Sequence, residues 1–280
     1  MKRINLLIIS ACCAISIFAQ SQKKEETIVD KILQAIDGFQ TREYKRDSAL
    51  NHALGSNSEE DFLRRYTFYD SVYSILNTAD KTLLSFDGQI NLELIKYDLE
   101  DDLSEWKFKS YLNPILADEG FHTSLAAMGS QVLSSSREFE NYIKRLKDIP
   151  RSVDERLTLM RKGLELGICQ PRAILNGYEN TYEQHIVTDI EKSVFWKPFL
   201  KKPFAITDAD WKKITDEGRV AVQQYAVEGF KRSKRFLIKN TYPKQGRRLV
   251  CQISRTGWLI TRSVRIIIRL LIFLMKKYIN

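Results

Sequence analysis

Ile90-Asn91-Leu92-Glu93-Leu94-Ile95-Lys96-Tyr97-Asp98-Leu99-Glu100-Asp101-Asp102-Leu103 is the stretch that decides the fold class. Leu92, Ile95, Leu99, Leu103 and, just beyond, Trp106 follow one another by three or four residues, so an α helix places all five on one face. Asp98, Glu100, Asp101, Asp102 and Glu105 occupy much of the remaining surface. A strand would need alternation with period two, and no run in the chain sustains it.

The same period recurs further along. Ser135 followed by Glu138 is a capping-box pair, and it predicts a helix that runs to Asp148 and stops before Pro150. Ser152 with Glu155 repeats the device and predicts a fresh helix carrying Leu157, Met160, Leu164 and Leu166. Thr207 with Asp210 is a looser version, opening a helix on which Trp211, Ile214, Gly218, Val222, Tyr225 and Gly229 line one side. Only 12 Gly and 6 Pro in 280 residues leave few places to turn. The expectation is an all-α, multi-helix domain over 20–240, of seven or eight helices, with a few extended residues around Tyr111 to Ser124. Residues from about Lys24 to Asn240 read as one helical unit.

At 44% hydrophobic and 28% charged residues, the chain has the composition of a folded protein rather than a disordered one. The first 19 residues read as a targeting segment. Lys2 and Arg3 precede the apolar run Ile4 to Phe18, and Ala19 stands before the polar Gln20-Ser21-Gln22-Lys23, the form of a cleaved secretory signal. Ile9-Ser10-Ala11-Cys12 also has the form that precedes a lipidated cysteine, but Ile4 to Ile9 falls short of the roughly 7–15 apolar residues such a signal needs. Export to the bacterial periplasm or cell envelope, or beyond it, is the expectation. Cleavage removes Cys12 and Cys13, and Cys169 with Cys251 make no disulfide framework for a chain of this length.

Charge is unevenly spread. The last carboxylate is Glu228, and the 52 residues after it carry 14 of the chain's 44 Lys and Arg. The first 228 residues therefore hold 30 basic against 35 acidic groups, a balance of −5, and the remainder stands at +14. At the acidic frequency of the first part, roughly eight carboxylates would be expected in the second.

The chemistry is mostly excluded. His52, His122 and His185 are far apart in sequence. Glu119 with His122, and His185 with Asp189, are two-ligand pairs, whereas zinc takes at least three ligands from the protein. H-E-x-x-H, C-x-x-C, G-x-S-x-G, a P-loop and G-x-G-x-x-G are all missing from the sequence. Asp98, Asp101 or Asp102, and Glu105 lie on adjacent turns where they could hold a hard cation or form a solvated face, and the face is the reading adopted. Phe195, Trp196 and Phe199 around Pro198 are read as a hydrophobic clasp between helices rather than a stacking platform. No catalytic, cofactor-binding or metal residue is assigned.

Several segments resemble, in order and spacing, the family called domain of unknown function 885. They are the opening stretch with Trp106-Lys107-Phe108-Lys109; Gly120-Phe121-His122-Thr123; Phe139-Glu140-Asn141-Tyr142-Ile143-Lys144-Arg145-Leu146; Met160-Arg161-Lys162-Gly163-Leu164-Glu165-Leu166-Gly167; Phe195-Trp196-Lys197-Pro198-Phe199; and the segment ending in Phe236-Leu237 and Tyr242-Pro243. The resemblance covers roughly residues 28 to 243. It implies a helical, exported, zinc metallopeptidase-like protein about twice this length, whose H-E-A-x-P-G-H-like motif would hold zinc in the C-terminal half. A peptide substrate is implied with it. That motif is missing here, so the resemblance transfers no catalytic residue, and the chain reads as the N-terminal, zincin-like helical half, truncated and inactive by itself.

The basic tail, 241–280, has two readings. A shifted reading frame near residue 240 would produce so abrupt a change of composition, and this is the reading favoured. Alternatively, Arg255, Arg262, Arg269 and Lys276, seven residues apart, line one side of an amphipathic helix whose Trp258, Leu259, Ile267, Leu270, Leu271 and Leu274 face lipid, attaching a non-catalytic helical binding protein to the envelope membrane. Ile266 to Met275 is too short to span a bilayer, which takes about 20 apolar residues. Nucleic acid would suit the charge, but export removes that partner.

Overall fold

The computed structural model describes residues 27–115, 119–168 and 177–241. The expected signal, Cys169 and Cys251, and residues 242–280 of the tail lie outside them. Regular structure among the described residues is helical, as the period of three to four demands. Eight α helices are described: α1 (27–49), α2 (Glu59–Leu76), α3 (Phe86–Lys107), α4 (Phe121–Ala127), α5 (Ser136–Glu165), α6 (Asn180–Glu183), α7 (Asp208–Ala221) and α8 (Val227–Thr241). Extended pairing is confined, among the described residues, to a bridge between Ile115 and Gly120, inside the stretch where the sequence leads one to expect it.

The described residues divide into two compact units, one within 1–46 and 62–107, the other within 47–61 and 108–280. In the first unit, Leu92, Ile95 and Leu99 of α3 are buried against Val29 and Ile32 of α1 and Val72 and Leu76 of α2. Leu103 and Trp106, lower on the same stripe, are half-buried. Phe39 stacks on Phe68 with ring centres 3.9 Å apart, and Arg64 forks onto Glu43 through two bonds of 2.8 and 2.6 Å.

The second unit is built around α5. Phe139, Tyr142, Leu146, Ile149, Val153, Leu157 and Met160 recur at helical spacing along it, and all are buried. Its start is as the sequence predicts: the Ser135 hydroxyl caps the Glu138 N–H, and the Glu138 carboxylate accepts from the Ser135 and Ser134 N–H groups at 2.9 and 2.7 Å. Those bonds, the Ser134 N–H foremost, pull the Glu138 carboxyl down to about 2.

The predicted stop before Pro150 does not occur. α5 runs through the proline as one helix of 30 residues. Pro150 offers no N–H to the Leu146 carbonyl and crowds it, a cost of about 3 kcal/mol. Leu146, Ile149 and Val153 surround it and are at most 1% exposed, and each contributes roughly 1.5–3 kcal/mol by burial. Tertiary packing therefore outweighs the local break. Ser152 is consequently an interior helical residue rather than a cap, and Glu155 turns elsewhere, as described below.

Thr207 caps α7 as expected, accepting from the Asp210 N–H at 3.2 Å. Between α7 and α8 the helix widens into a π turn, Val222–Ala226. The added residue shifts the buried stripe, so that Ala226 is fully buried while Tyr225 is only half-buried, against the spacing read from the sequence. Gly218 is where the stripe meets the aromatic segment: a Cβ there would lie 2.5 Å from the Phe199 ring.

Candidate functional site

A cleft of about 620 Å³ opens on the second unit. Its floor is the middle of α5, where Arg151, Asp154, Glu155, Thr158 and Lys162 recur at three- and four-residue intervals. One wall is the first turn of α2. There the Ser58 N–H and hydroxyl both donate to the Asp61 carboxylate, at 2.9 and 2.7 Å, and Glu59 and Glu60 are set at the rim. Arg232 of α8 also lines the cleft.

Arg151 organises the floor. Its Nε and Nη2 donate to the two Asp148 oxygens at 2.5 and 2.7 Å, and Nη2 also donates to the Gly55 carbonyl at 2.8 Å. Its Nη1, buried, lies 2.8 Å from Glu155 as an ion pair. Asp148 also accepts from the Leu54 N–H and Glu155 from the Asn57 N–H, both at 2.9 Å. The segment 54–57 is thereby tied to α5 at three points. Burial works against the Arg151 charge, and the Asp148 and Glu155 carboxylates more than reverse it, so the guanidinium is held more firmly protonated than usual.

The rest of the lining carries both signs. Lys162 pairs with Glu59, which also accepts from the Tyr111 hydroxyl at 3.0 Å. Burial, then the neighbouring carboxylate, pushes that phenol up to about 12. Arg232 pairs with Asp154 and lies 3.6 Å from Glu228. Glu60 is exposed and has no ionic partner among the described residues. Four carboxylates and three cations line the cleft, and the three cations are all ion-paired within it, so a ligand bearing both charges would exchange its groups into these pairs. The sequence singles out none of these as site residues, Glu155 entering there only as a cap partner and Lys162 only within a segment that resembles the family. The signals were present in the i,i+3 and i,i+4 charge spacing of Asp148, Arg151 and Glu155, but their reach to 54–57 is tertiary.

The three histidines do not converge on a metal. His122 is 1% exposed. The Thr181 hydroxyl donates to the Tyr178 carbonyl at 2.6 Å and so accepts from His122 Nε2 at 2.8 Å, which places the imidazole proton on Nε2. Gly120 is required beside it, because a Cβ would lie 2.8 Å from the Tyr178 hydroxyl. Burial, with a smaller contribution from His185, pushes His122 down to about 4. His185 packs on the Phe230 ring at 4.8 Å, and Asp189 is spent on capping the Glu191 N–H at 3.1 Å. His52 faces Ser56 at 2.7 Å, but the Ser56 hydroxyl donates to Asp47 at 2.5 Å. The serine, not the histidine, bridges that trio, so it lacks the proton relay of a hydrolase triad.

The α3 carboxylates remain on the surface. Asp102 is pushed up by local desolvation first and then by Asp101 and Asp98, and the Glu100 carboxylate takes the Tyr73 hydroxyl at 2.5 Å. Among the described residues no group of three His, Cys, Asp or Glu is arranged to hold a metal ion. The described residues thus offer no three-ligand set of the kind zinc takes. Phe195, Trp196 and Phe199 are at most 5% exposed, and they form the expected clasp.

The family model for domain of unknown function 885, described as bacterial protein of unknown function, matches residues 38–250. The match starts later than the resemblance read from the motifs and runs past the change of composition near residue 240. No curated protein and no solved structure matches the chain.

Proposed function

The chain belongs to the domain of unknown function 885 family, and we propose that it is an exported, zinc-peptidase-like member whose helical units bind peptide rather than cleave it. The observation that carries the reading is the cleft on α5, whose paired charges of both signs suit the amide backbone and charged termini of a short peptide. In zinc peptidases the metal supplies an activated water, and three protein ligands hold it. Among the described residues no such set is arranged, so in this reading they contribute binding and orientation only.

The test is titration calorimetry of the full chain with a set of hexapeptides of positive, negative and zero net charge, alongside a cleavage assay with added zinc. Binding that weakens about tenfold on Lys162→Ala with Arg232→Ala supports the reading. Failure of every peptide to bind, or chelator-sensitive cleavage, overturns it.

Attachment to the envelope through the tail is a second reading, favoured by the seven-residue spacing of Arg255, Arg262, Arg269 and Lys276. No described helix is long and apolar enough to cross a membrane. Deleting residues 244–280 is expected to abolish tail-mediated binding to anionic vesicles, and undiminished binding removes this reading.

A further inference from the structure

The segment Lys197-Pro198-Phe199-Leu200-Lys201-Lys202-Pro203-Phe204 has a pattern of exposure that the cleft does not use. Phe204 is fully exposed, and Leu200 is 65% exposed. Lys197, Lys201 and Lys202 are also exposed. The apolar tips are held firmly. Trp196, Phe199 and Ile206 are at most 5% exposed, anchoring the segment at both ends. Trp196 and Phe199 stack at 4.8 Å, and the Leu200 and Ile206 N–H groups close turns on the Lys197 and Pro203 carbonyls at 3.2 Å. Pro198 and Pro203 fix φ within it.

We propose that this segment is a membrane-surface contact, with Leu200 and Phe204 entering the acyl boundary of an anionic bilayer and the lysines resting on lipid phosphates. A preformed wedge loses little conformational freedom on insertion. Lysine stems lie along apolar surface while the ammonium stays at the headgroups, and each basic residue adds attraction to an anionic leaflet. Charge complementarity selects this occupant. Lys202 is paired with Asp208, but no carboxylate among the described residues pairs with Lys197 or Lys201. Asp210, the other carboxylate of the first turn of α7, bonds the Thr207 hydroxyl at 2.8 Å. Protein-binding patches are depleted in Lys, whereas three of the eight residues from Lys197 to Phe204 are lysines. In the sequence this segment is separate from the tail, which comes after α8.

The experiment uses the full chain with phosphatidylcholine vesicles containing phosphatidylglycerol, and with phosphatidylcholine alone. Hydrogen exchange is expected to slow at residues 200–206 on the anionic vesicles and not on the neutral ones. Leu200→Ser with Phe204→Ser should weaken flotation by about tenfold or more, and Lys197→Glu with Lys201→Glu should remove the preference for anionic lipid. All four positions are exposed, so the variants should melt as the parent does. Unchanged exchange at 200–206 with protection confined to the tail overturns the proposal. So does an equal affinity of the serine variant, or protection of this segment by self-association without lipid.

Discussion

The two units bury different chemistry. Ser56, Asn57, Asp61, His122, Asp148, Ser152, Ser193 and Ser233 are the buried polar residues described, and every one belongs to the unit of 47–61 and 108–280. The unit of 1–46 and 62–107 has an apolar core of Val, Ile and Leu, although α3 carries the densest run of carboxylates in the sequence. Where like charges sit together they stay in water, because burying them would leave them unpaired. Where opposite charges interleave, as on α5, they can be drawn inward, and only then do they fix a loop and shape a cleft. A conspicuous cluster is thus a poor guide to a site, and a mixed one a better guide.

The contrast can be broken most directly at Arg151. Replacing it with Met strands Asp148, which is 8% exposed, and is expected to lower unfolding free energy by about 3 kcal/mol in a urea titration. Stability within about 0.5 kcal/mol of the parent would show that the floor of the cleft is not held this way.

The second test is pH. The His122 value in the folded state lies below its unfolded one, so its stability contribution is complete above about pH 6.5 and declines as pH falls towards 4. At pH 5 the loss is about 2 kcal/mol. A His122→Asn variant should lack this share of the decline, and a parallel pH profile for parent and variant would contradict it. The first unit contains no histidine, so it has no share in this slope.

A smaller effect of opposite sign is expected at Pro150. Pro150→Ala restores a donor to the Leu146 carbonyl and should raise stability by about 1 kcal/mol, the gain being reduced by the freer unfolded chain. A destabilised variant would mean that the proline ring itself fills space the core needs. Smallest of all, Asp102→Asn in α3 relieves crowding by Asp101 and Asp98 and should change stability by no more than about 0.5 kcal/mol. A loss above about 1 kcal/mol would give that face a structural role we do not assign it.

Much of the helical plan was legible beforehand. The stripe Leu92, Ile95 and Leu99, the Ser135 and Thr207 caps and the Trp196–Phe199 clasp are local patterns, set by residues within one or two turns of each other. Pro150 and Tyr225 were misread for one reason: their local signals are real, but packing against the rest of the second unit is worth more than either. Of the cleft, only the charge spacing along α5 was legible. Its parts come from residues 54–60, α5 and α8, and nothing in the spacing of one segment reports the position of the others.

By itself the sequence determined the all-α class, the helix faces up to the π turn and the exclusion of the common catalytic motifs, because period, caps and motifs are short-range properties of a chain. Only the tertiary structure decided that His122 is held neutral, that Arg151 ties 54–57 to α5, and that Phe204 stands in solvent between lysines. Burial and pairing depend on what distant segments bring to a residue, and that is settled only when the chain has packed.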